Sequence, residues 1–276
     1  MNKKTIGSMM LLMAAVFWGL SYVVQNILGE LGTFTVVFFK NVGGLLLIPL
    51  AIKNGSRFDR KTIVSGSIIG VIAFFGSLFQ QKGIELSSAA NASFIISLYI
   101  VLVPIMGLLI GRKPRKRVWL AVMIALLGMY LLCVKDGFTI RIGDLILLGG
   151  AMCFALMIII IDRYISDVDI ISFTIVQQIS ATILSTIVMV TFEKPSLVQM
   201  KGVWYLLVYV ALIAGTLSQF IQNRYQRDIE PALASLLMSF ESVFGALFGW
   251  IFLHQVLSIK ELIGCALIFI GILLAE

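Results

Sequence analysis

Residues 79–99 read FQQKGIELSSAANASFIISLY, and residues 221–241 read IQNRYQRDIEPALASLLMSFE. An ungapped overlay of the two stretches aligns five identical pairs: Gln80 with Gln222, Ala90 with Ala232, Ala92 with Ala234, Ser93 with Ser235, and Ser97 with Ser239. The basic residue Lys82 falls on Arg224. A pattern that recurs along a chain indicates an internal repeat. We therefore predict two related halves, residues 1–136 and residues 137–276.

The chain around these stretches is strongly apolar. Of its 276 residues, 60% are hydrophobic and 13% are charged, and the mean hydropathy is +1.05. Soluble domains carry about 25% charged residues, so most of this protein's surface is expected to face lipid. Ten runs approach the roughly 20 residues that span a bilayer, and they cover 7–28, 34–52, 62–82, 88–111, 117–135, 141–162, 170–191, 202–223, 232–254 and 258–275.

Five of these runs fall in each half. Because five is an odd number, the second half enters the membrane upside down relative to the first. The predicted fold class is an all-α integral membrane protein, with ten transmembrane helices arranged as two inverted five-helix repeats. In secondary transporters built this way, the substrate site lies near the membrane midplane where the repeats meet.

Lysine and arginine are unevenly distributed between the two sides of the predicted membrane. With a cytoplasmic N-terminus, 14 of the 21 Lys and Arg residues lie in cytoplasmic segments, 6 lie on the other side, and Lys40 lies inside a helix. Cytoplasmic loops are enriched in these residues. Both termini are therefore predicted to be cytoplasmic, in a multi-pass protein of the plasma (cell inner) membrane. The same bias explains the net charge of +7 without a nucleic-acid partner.

The sequence carries no motif of an enzyme or of a metal site. Walker A, HExxH, GxSxG and CxxC patterns are absent, and the single histidine, His254, lies at the edge of an apolar run. The cysteines Cys133, Cys153 and Cys265 lie inside apolar runs, where cysteine serves as a small buried hydrophobe. We therefore expect no enzyme activity, no catalytic residues, no metal and no cofactor.

Several short motifs, taken in order, resemble a known family. They are Phe17-Trp18-Gly19, Phe38-Phe39-Lys40, the block from Ser87 to Tyr99 with Pro104, and the segment from Pro231 to His254 followed by Leu257-Ser258 and Gly264. Together they resemble the EamA family of the drug/metabolite transporter (DMT) superfamily. The resemblance implies a ten-helix bundle, a central cavity lined mainly by the third, fourth, eighth and ninth helices, and alternating access, often for metabolite export. Two positions differ from the family pattern: Lys40 replaces the usual Arg, and His254-Gln255 replaces a common Gly-Glu pair.

Two ionisable residues lie inside predicted membrane helices, where charge is costly and usually functional. Glu241 lies near the middle of the ninth run, and Lys40 lies about two turns into the second. They could pair with each other, which would fix helix packing, or contact a substrate. Glu241 is the natural coupling residue if transport is driven by protons. Tyr99 falls on Glu241 in the overlay of the two halves, and its hydroxyl could meet a polar substrate or pack against a neighbour.

The remaining candidates are aromatic, amide and hydroxyl side chains in the runs. Trp18 and Tyr22 are four residues apart and share a helix face, where they could stack on a ligand or pack in the core. Buried amides and serines could bind substrate or hold helices together. The candidate substrate-binding residues are Trp18, Tyr22, Lys40, Gln80, Ser97, Tyr99, Gln177, Gln219, Ser239 and Glu241.

These observations predict a secondary transporter that moves a small metabolite, amino acid-like or drug-like, by alternating access. We expect an exporter and take proton coupling as a hypothesis. The expected partners are a small-molecule substrate and the lipid bilayer, and the protein is expected to be a monomer or homodimer. A membrane channel and a non-transporting scaffold are the alternatives. The identity of the substrate does not follow from the sequence.

Overall fold

The computed structural model describes residues 2–86, 89–112, 114–133, 141–193, 195, 197–253 and 258–275. Within these ranges the regular structure is entirely helical, with no β-strand. Four residues named above lie outside the described residues, namely Ser87, His254, Gln255 and Leu257.

The described residues form fifteen α-helices, which are numbered in chain order. They are α1 (Lys3–Ile27), α2 (Thr33–Val42), α3 (Ile48–Asn54), α4 (Arg60–Leu86), α5 (Ala89–Ser97), α6 (Tyr99–Leu109), α7 (Lys116–Cys133), α8 (Ile142–Tyr164), α9 (Ile170–Phe192), α10 (Leu197–Gly202), α11 (Trp204–Val208), α12 (Ser218–Tyr225), α13 (Pro231–Met238), α14 (Glu241–Leu253) and α15 (Ile259–Ala275). Short 3₁₀ segments follow α1, α2, α8 and α12, and a π-helix joins α11 to α12.

Eight helical stretches in the described part of the chain are long and apolar enough to cross a membrane. They are Lys3–Leu31, Thr33–Asn54, Arg60–Leu86, Ala92–Leu109, Ile142–Asp167, Ile170–Phe192, Trp204–Asp228 and Pro231–Phe252. The protein is therefore a multi-pass membrane protein. The other two predicted spans contain α7 and α15, which have 18 and 17 residues. A total of ten spans in two inverted halves stays a prediction.

Helices α7 and α15 pack closely against each other through glycines. A Cβ added to Gly128 would lie 2.6 Å from the carbonyl oxygen of Gly264, and one added to Gly264 would lie 2.5 Å from that of Gly128. Small residues allow such close approach between helices in lipid. Met129 of α7 and Ile268 of α15 are fully buried beside this contact, in the same apolar cluster as Ile100 and Leu236.

Two of the apolar stretches are broken at equivalent points. Leu98 interrupts the helix between α5 and α6, and Ser239 with Phe240 interrupts it between α13 and α14. Leu98 falls on Phe240 in the overlay of residues 79–99 and 221–241. At the end of α13 the hydroxyls of Ser235 and of Ser239, the residue that follows the helix, donate to the helix carbonyls of Ala232 and Leu236, at 2.8 and 2.7 Å. Serine bonds of this kind compete with the regular ladder and bend helices.

The stretch Trp204–Asp228 contains a π-helix over Tyr209–Leu217. Its wider turn is supported by hydroxyl groups that reach back five residues. Thr216 Oγ1 donates to the Ala211 carbonyl and Ser218 Oγ to the Ile213 carbonyl, each at 2.8 Å. Such π-segments are uncommon and often lie at functional sites.

The N-terminus of α2 is capped by a carboxylate from the other half of the chain. Glu193, which follows α9, accepts hydrogen bonds from Phe34 N at 2.9 Å and from Thr35 N and Thr35 Oγ1 at 2.8 Å. The preceding residue, Gly32, has φ +99°, and a Cβ there would lie 2.6 Å from the Glu193 carboxylate. Glycine therefore supplies both the left-handed turn and the space for the cap. On the other side, Thr33 donates to Glu85 at the end of α4.

Candidate functional site

A central cavity lies among the long helices. Its walls come from α1, α2, α4, α6, α8, α9, the π-helix, α12, α13 and α14. Eight of the ten predicted site residues line it: Trp18, Tyr22, Lys40, Gln80, Tyr99, Gln177, Gln219 and Glu241. The fold thus gathers residues that are up to 223 positions apart, from Trp18 to Glu241, around one space.

The two ionisable residues are connected by hydrogen bonds through two neutral side chains, Gln80 and Tyr22. Lys40 Nζ donates to Gln80 Oε1 at 2.8 Å, and Gln80 Nε2 donates to the Tyr22 hydroxyl at 3.1 Å. The Tyr22 hydroxyl donates to Glu241 Oε1 at 3.4 Å, and the Tyr99 hydroxyl donates to the same oxygen at 3.3 Å.

Lys40 and Glu241 form no direct ion pair in the described part of the protein, where five ion pairs involve other residues. Gln80 and Tyr22 stand between them and neutralise neither charge. A buried charge without a counter-ion is costly. Both groups line the cavity, so an opposite charge that enters it can approach either of them.

The position of Glu241 follows from the break in its helix. Glu241 is the first residue of α14, and Tyr99 is the first residue of α6. The N-terminus of a helix carries a partial positive charge and free amide groups, which favour a carboxylate. The break therefore allows an acid to be 94% buried in an apolar bundle, and it turns the acid toward Tyr99 in the other half.

The π-helix forms another wall of the cavity. Trp18 Nε1 donates to the Ala214 carbonyl at 2.9 Å, and Gln178 Nε2 donates to the Gly215 carbonyl at 3.3 Å. A π-turn diverts carbonyls from the regular helical ladder, so they can accept bonds from side chains. These two bonds fix the Trp18 ring on one side of the cavity and tie α1 and α9 to the π-helix.

An amide network extends from the cavity along α12. Gln219 Nε2 donates to Gln222 Oε1 at 3.0 Å, and Gln222 Nε2 donates to Gln226 Oε1 at 3.0 Å. Asn223 Nδ2 donates to Gln177 Oε1 of α9 at 2.8 Å, and Gln226 Nε2 donates to the Ile158 carbonyl of α8 at 2.6 Å. The network joins α8, α9 and α12, because buried amides require partners in an apolar environment.

Comparison with known proteins identifies the family of this chain. The model of the EamA-like transporter family matches the chain twice, over residues 5–134 and over residues 141–275. The chain belongs to the EamA-like transporter family. The family prediction is therefore confirmed, and membership indicates a membrane transporter rather than an enzyme.

Relatives of this EamA-like chain cover nearly all of it. An uncharacterized transporter of Archaeoglobus fulgidus is 29% identical over 281 residues, which cover 99% of this chain and 87% of the relative. The uncharacterized transporter YyaM of Bacillus subtilis is 25% identical over 251 residues, which cover 86% and 82%. A solved crystal structure superposes with a TM-score of 0.83 at 18% identity and covers 98% of this chain and 96% of that one; at this identity the likeness shows the fold alone.

Two predicted site residues of the EamA-like chain do not line the cavity. Ser97 Oγ shares a hydrogen bond of 2.8 Å with Ser242 Oγ, and Ser239 Oγ, in the break after α13, donates to the Leu236 carbonyl at 2.7 Å. Both serines are fully buried. Both hydroxyls bond to protein groups, and the Ser97–Ser242 bond links the two broken stretches.

The cavity also contains polar residues that were not among the predicted site residues. They are Ser21, Gln25, Asn41, Ser77, Gln178 and Gln222. The spacing held a signal for some of them, because Ser21 and Gln25 lie three and seven residues after Trp18, on one helix face. Among the described residues, no group of three or more His, Cys, Asp or Glu side chains could hold a metal ion.

Proposed function

We propose that this EamA-like protein is a secondary transporter that moves a small zwitterionic metabolite of the amino-acid class by alternating access. The observation that carries this proposal is the separation of Lys40 from Glu241 by the neutral residues Gln80 and Tyr22. An ammonium and a carboxylate that do not neutralise each other complement a ligand carrying both charges. The surrounding amides and hydroxyls suit its polar groups.

We further propose ten spans in two inverted halves, residues 1–136 and residues 137–276, with both termini cytoplasmic. Three features support this arrangement. The family model matches once in each half, the helix breaks at Leu98 and Phe240 fall on each other in the overlay, and the basic residues are concentrated on one side. Discontinuous helices that meet near the midplane are typical of transporters with inverted repeats.

Glu241 is proposed as the proton-coupling residue, and export as the direction. Intramembrane carboxylates commonly relay protons in pumps and transporters. Glu241 is buried, contacts both Tyr22 and Tyr99, and lies where the two halves meet. A proton and the substrate's ammonium group would compete for the same carboxylate, and this competition provides the coupling.

A two-stage experiment tests the transport function. Purified protein is first screened by thermal shift against amino acids, other metabolites and drug-like cations, and stabilising compounds are then used in proteoliposome counterflow. We expect zwitterionic amino acids to stabilise the protein and to show saturable counterflow. Flux that neither saturates nor shows counterflow would indicate a channel, and the absence of flux with every stabilising compound would contradict transport.

A variant of Glu241 tests the coupling separately. Glu241→Gln should weaken counterflow, because the substrate's ammonium group loses its carboxylate partner, and the transport that remains should no longer respond to an imposed pH gradient. Glu30→Gln is the control, since Glu30 is exposed in the segment after α1. If Glu241→Gln keeps full gradient-driven transport, Glu241 is not the coupling residue.

A further inference from the structure

A second, apolar groove lies between α2 with the 3₁₀ segment that follows it and the stretch from α10 to the π-helix. It is a wide, open groove on the surface of the protein. Apolar side chains such as Phe39, Leu46, Met200 and Trp204 line it. Among the described lining residues, Lys201 alone is charged.

The groove is concave because its floor is made of small residues. Gly43 packs directly on the Ala211 carbonyl, and a Cβ on Gly43 would lie 2.6 Å from Thr216 Oγ1. Large side chains rise on either side, with Leu46 66% and Trp204 63% exposed. The floor along α2 and its 3₁₀ extension, from Phe39 to Leu46, is roughly 10 Å long at helical rise. These dimensions suit a hydrocarbon chain.

Lys201 is one of the residues that line this groove. It belongs to α10, a short helix that buries none of its residues. Trp204 and Tyr205 follow immediately, both largely exposed and in edge-to-face contact at 6.3 Å between ring centroids. Exposed aromatic residues of this kind mark the headgroup level of a bilayer. The Lys201 side chain is exposed and has no hydrogen bond or ion pair with the described residues.

We propose that the groove binds an anionic phospholipid, with an acyl chain on the Gly43–Ala211 floor and the headgroup phosphate at Lys201. The shape of the groove suits the acyl chain, and the Lys201 ammonium suits the headgroup, because anionic headgroups attract basic residues near the membrane surface. An anionic phospholipid supplies both the acyl chain and the negative headgroup. A second copy of the chain would place Lys201 against apolar side chains unless it also supplied an acid.

This position would allow the lipid to affect transport. Gly43 and Ala211 line the groove, while the neighbouring Lys40 and Gly215 line the central cavity. Gly215 packs against the Lys40 carbonyl, so only one layer of backbone separates the two spaces. A bound lipid would brace the contact between the π-helix and α2, the helix that carries Lys40.

Native mass spectrometry of the full chain tests the site, with phosphatidylglycerol and phosphatidylcholine of matched acyl chains as probes. We expect the wild type to retain phosphatidylglycerol preferentially and Lys201→Gln to weaken that preference by about fivefold, the loss of one lysine at the membrane surface. Lys201→Arg keeps the positive charge and should retain the wild-type preference for phosphatidylglycerol. Lys260→Gln is the charge-matched control, since Lys260 packs over the Tyr130 ring elsewhere.

Three outcomes would overturn the proposal. They are equal retention of the two lipids by the wild type, an unchanged preference in Lys201→Gln, and a dimer that forms only without bound phosphatidylglycerol, which would identify a second copy as the occupant. Thermal shift with each lipid provides an independent measurement. All variants are compared at equal monodispersity, so that misfolding is not counted as loss of binding.

Discussion

The Tyr99 hydroxyl donates a hydrogen bond of 3.3 Å to Glu241 Oε1, and each residue is the first of a helix that follows a break. Equivalent positions of two related stretches therefore touch across the middle of the protein. One copy carries an acid and the other carries a neutral donor. The two positions that the overlay aligns thus differ in chemistry, and the neutral hydroxyl of one donates to the carboxylate of the other.

Removing the Tyr99 hydroxyl should weaken transport with little effect on folding. A hydrogen bond to a carboxylate contributes on the order of 1–2 kcal/mol, and this one is long, so we expect Tyr99→Phe to slow counterflow by roughly fivefold. Tyr22 still donates to Glu241 in this variant. Tyr130→Phe is the control, because Tyr130 is 43% exposed and does not line the cavity. Equal counterflow for Tyr99→Phe and the wild type would remove Tyr99 from the site.

Replacing Lys40 should change substrate preference as well as rate. Lys40→Gln keeps a donor for Gln80 but removes the positive charge, so the KM for a zwitterion should rise at least about tenfold, as for loss of a buried charged hydrogen bond. The KM for an analogue whose carboxylate is esterified should change much less. Lys61→Gln is the control, since Lys61 forms a surface ion pair with Asp167 at 2.5 Å and such pairs contribute little. A parallel rise for both ligands would contradict a carboxylate contact at Lys40.

The helical membrane fold could be predicted from the sequence because the lipid environment imposes simple rules. Each crossing needs a long apolar helix, and eight such helices are present in the described residues. The sequence also allowed Lys40, Glu241 and Trp18 to be predicted as site residues, because a charged or polar group inside an apolar run is costly without a partner. Eight of the ten candidate residues line the cavity for that reason.

Other features depend on local geometry that residue type does not specify. Ser97 and Ser239 have the same hydroxyl as the cavity residue Ser77, but their hydrogen bonds go to protein groups. Nothing in the composition of Tyr209–Leu217 distinguishes a π-helix from an α-helix. The Glu193 cap joins residues 158 positions apart, and only the packing of α2 against α9 brings them together.

Weakening that cap should destabilise the protein. The Glu193 carboxylate accepts three hydrogen bonds at the N-terminus of α2. Its negative charge also interacts favourably with the positive end of the helix dipole. We expect Glu193→Gln to lower stability by about 1 kcal/mol, the usual value of an N-cap, and to lower Tm by about 2–4 °C for a chain of this size. The measurement is thermal unfolding in detergent, with Glu30→Gln as the control at the same end of the bundle. A Tm that falls equally in both variants would show that the cap has no specific role.

The contact between α2 and the π-helix should be the least tolerant of added volume. A Cβ on Gly215 would collide with the Lys40 carbonyl and approach the Val210 carbonyl to 2.9 Å, and neither backbone atom can rotate away. Overpacking of this kind costs roughly 1–3 kcal/mol, so Gly215→Ala should lower Tm and also displace Lys40, which reduces counterflow. Gly202→Ala is the matched control, because a Cβ there meets no atom within 4 Å. Should Gly215→Ala keep wild-type Tm and counterflow, the close approach of the two backbones would not be required for the site.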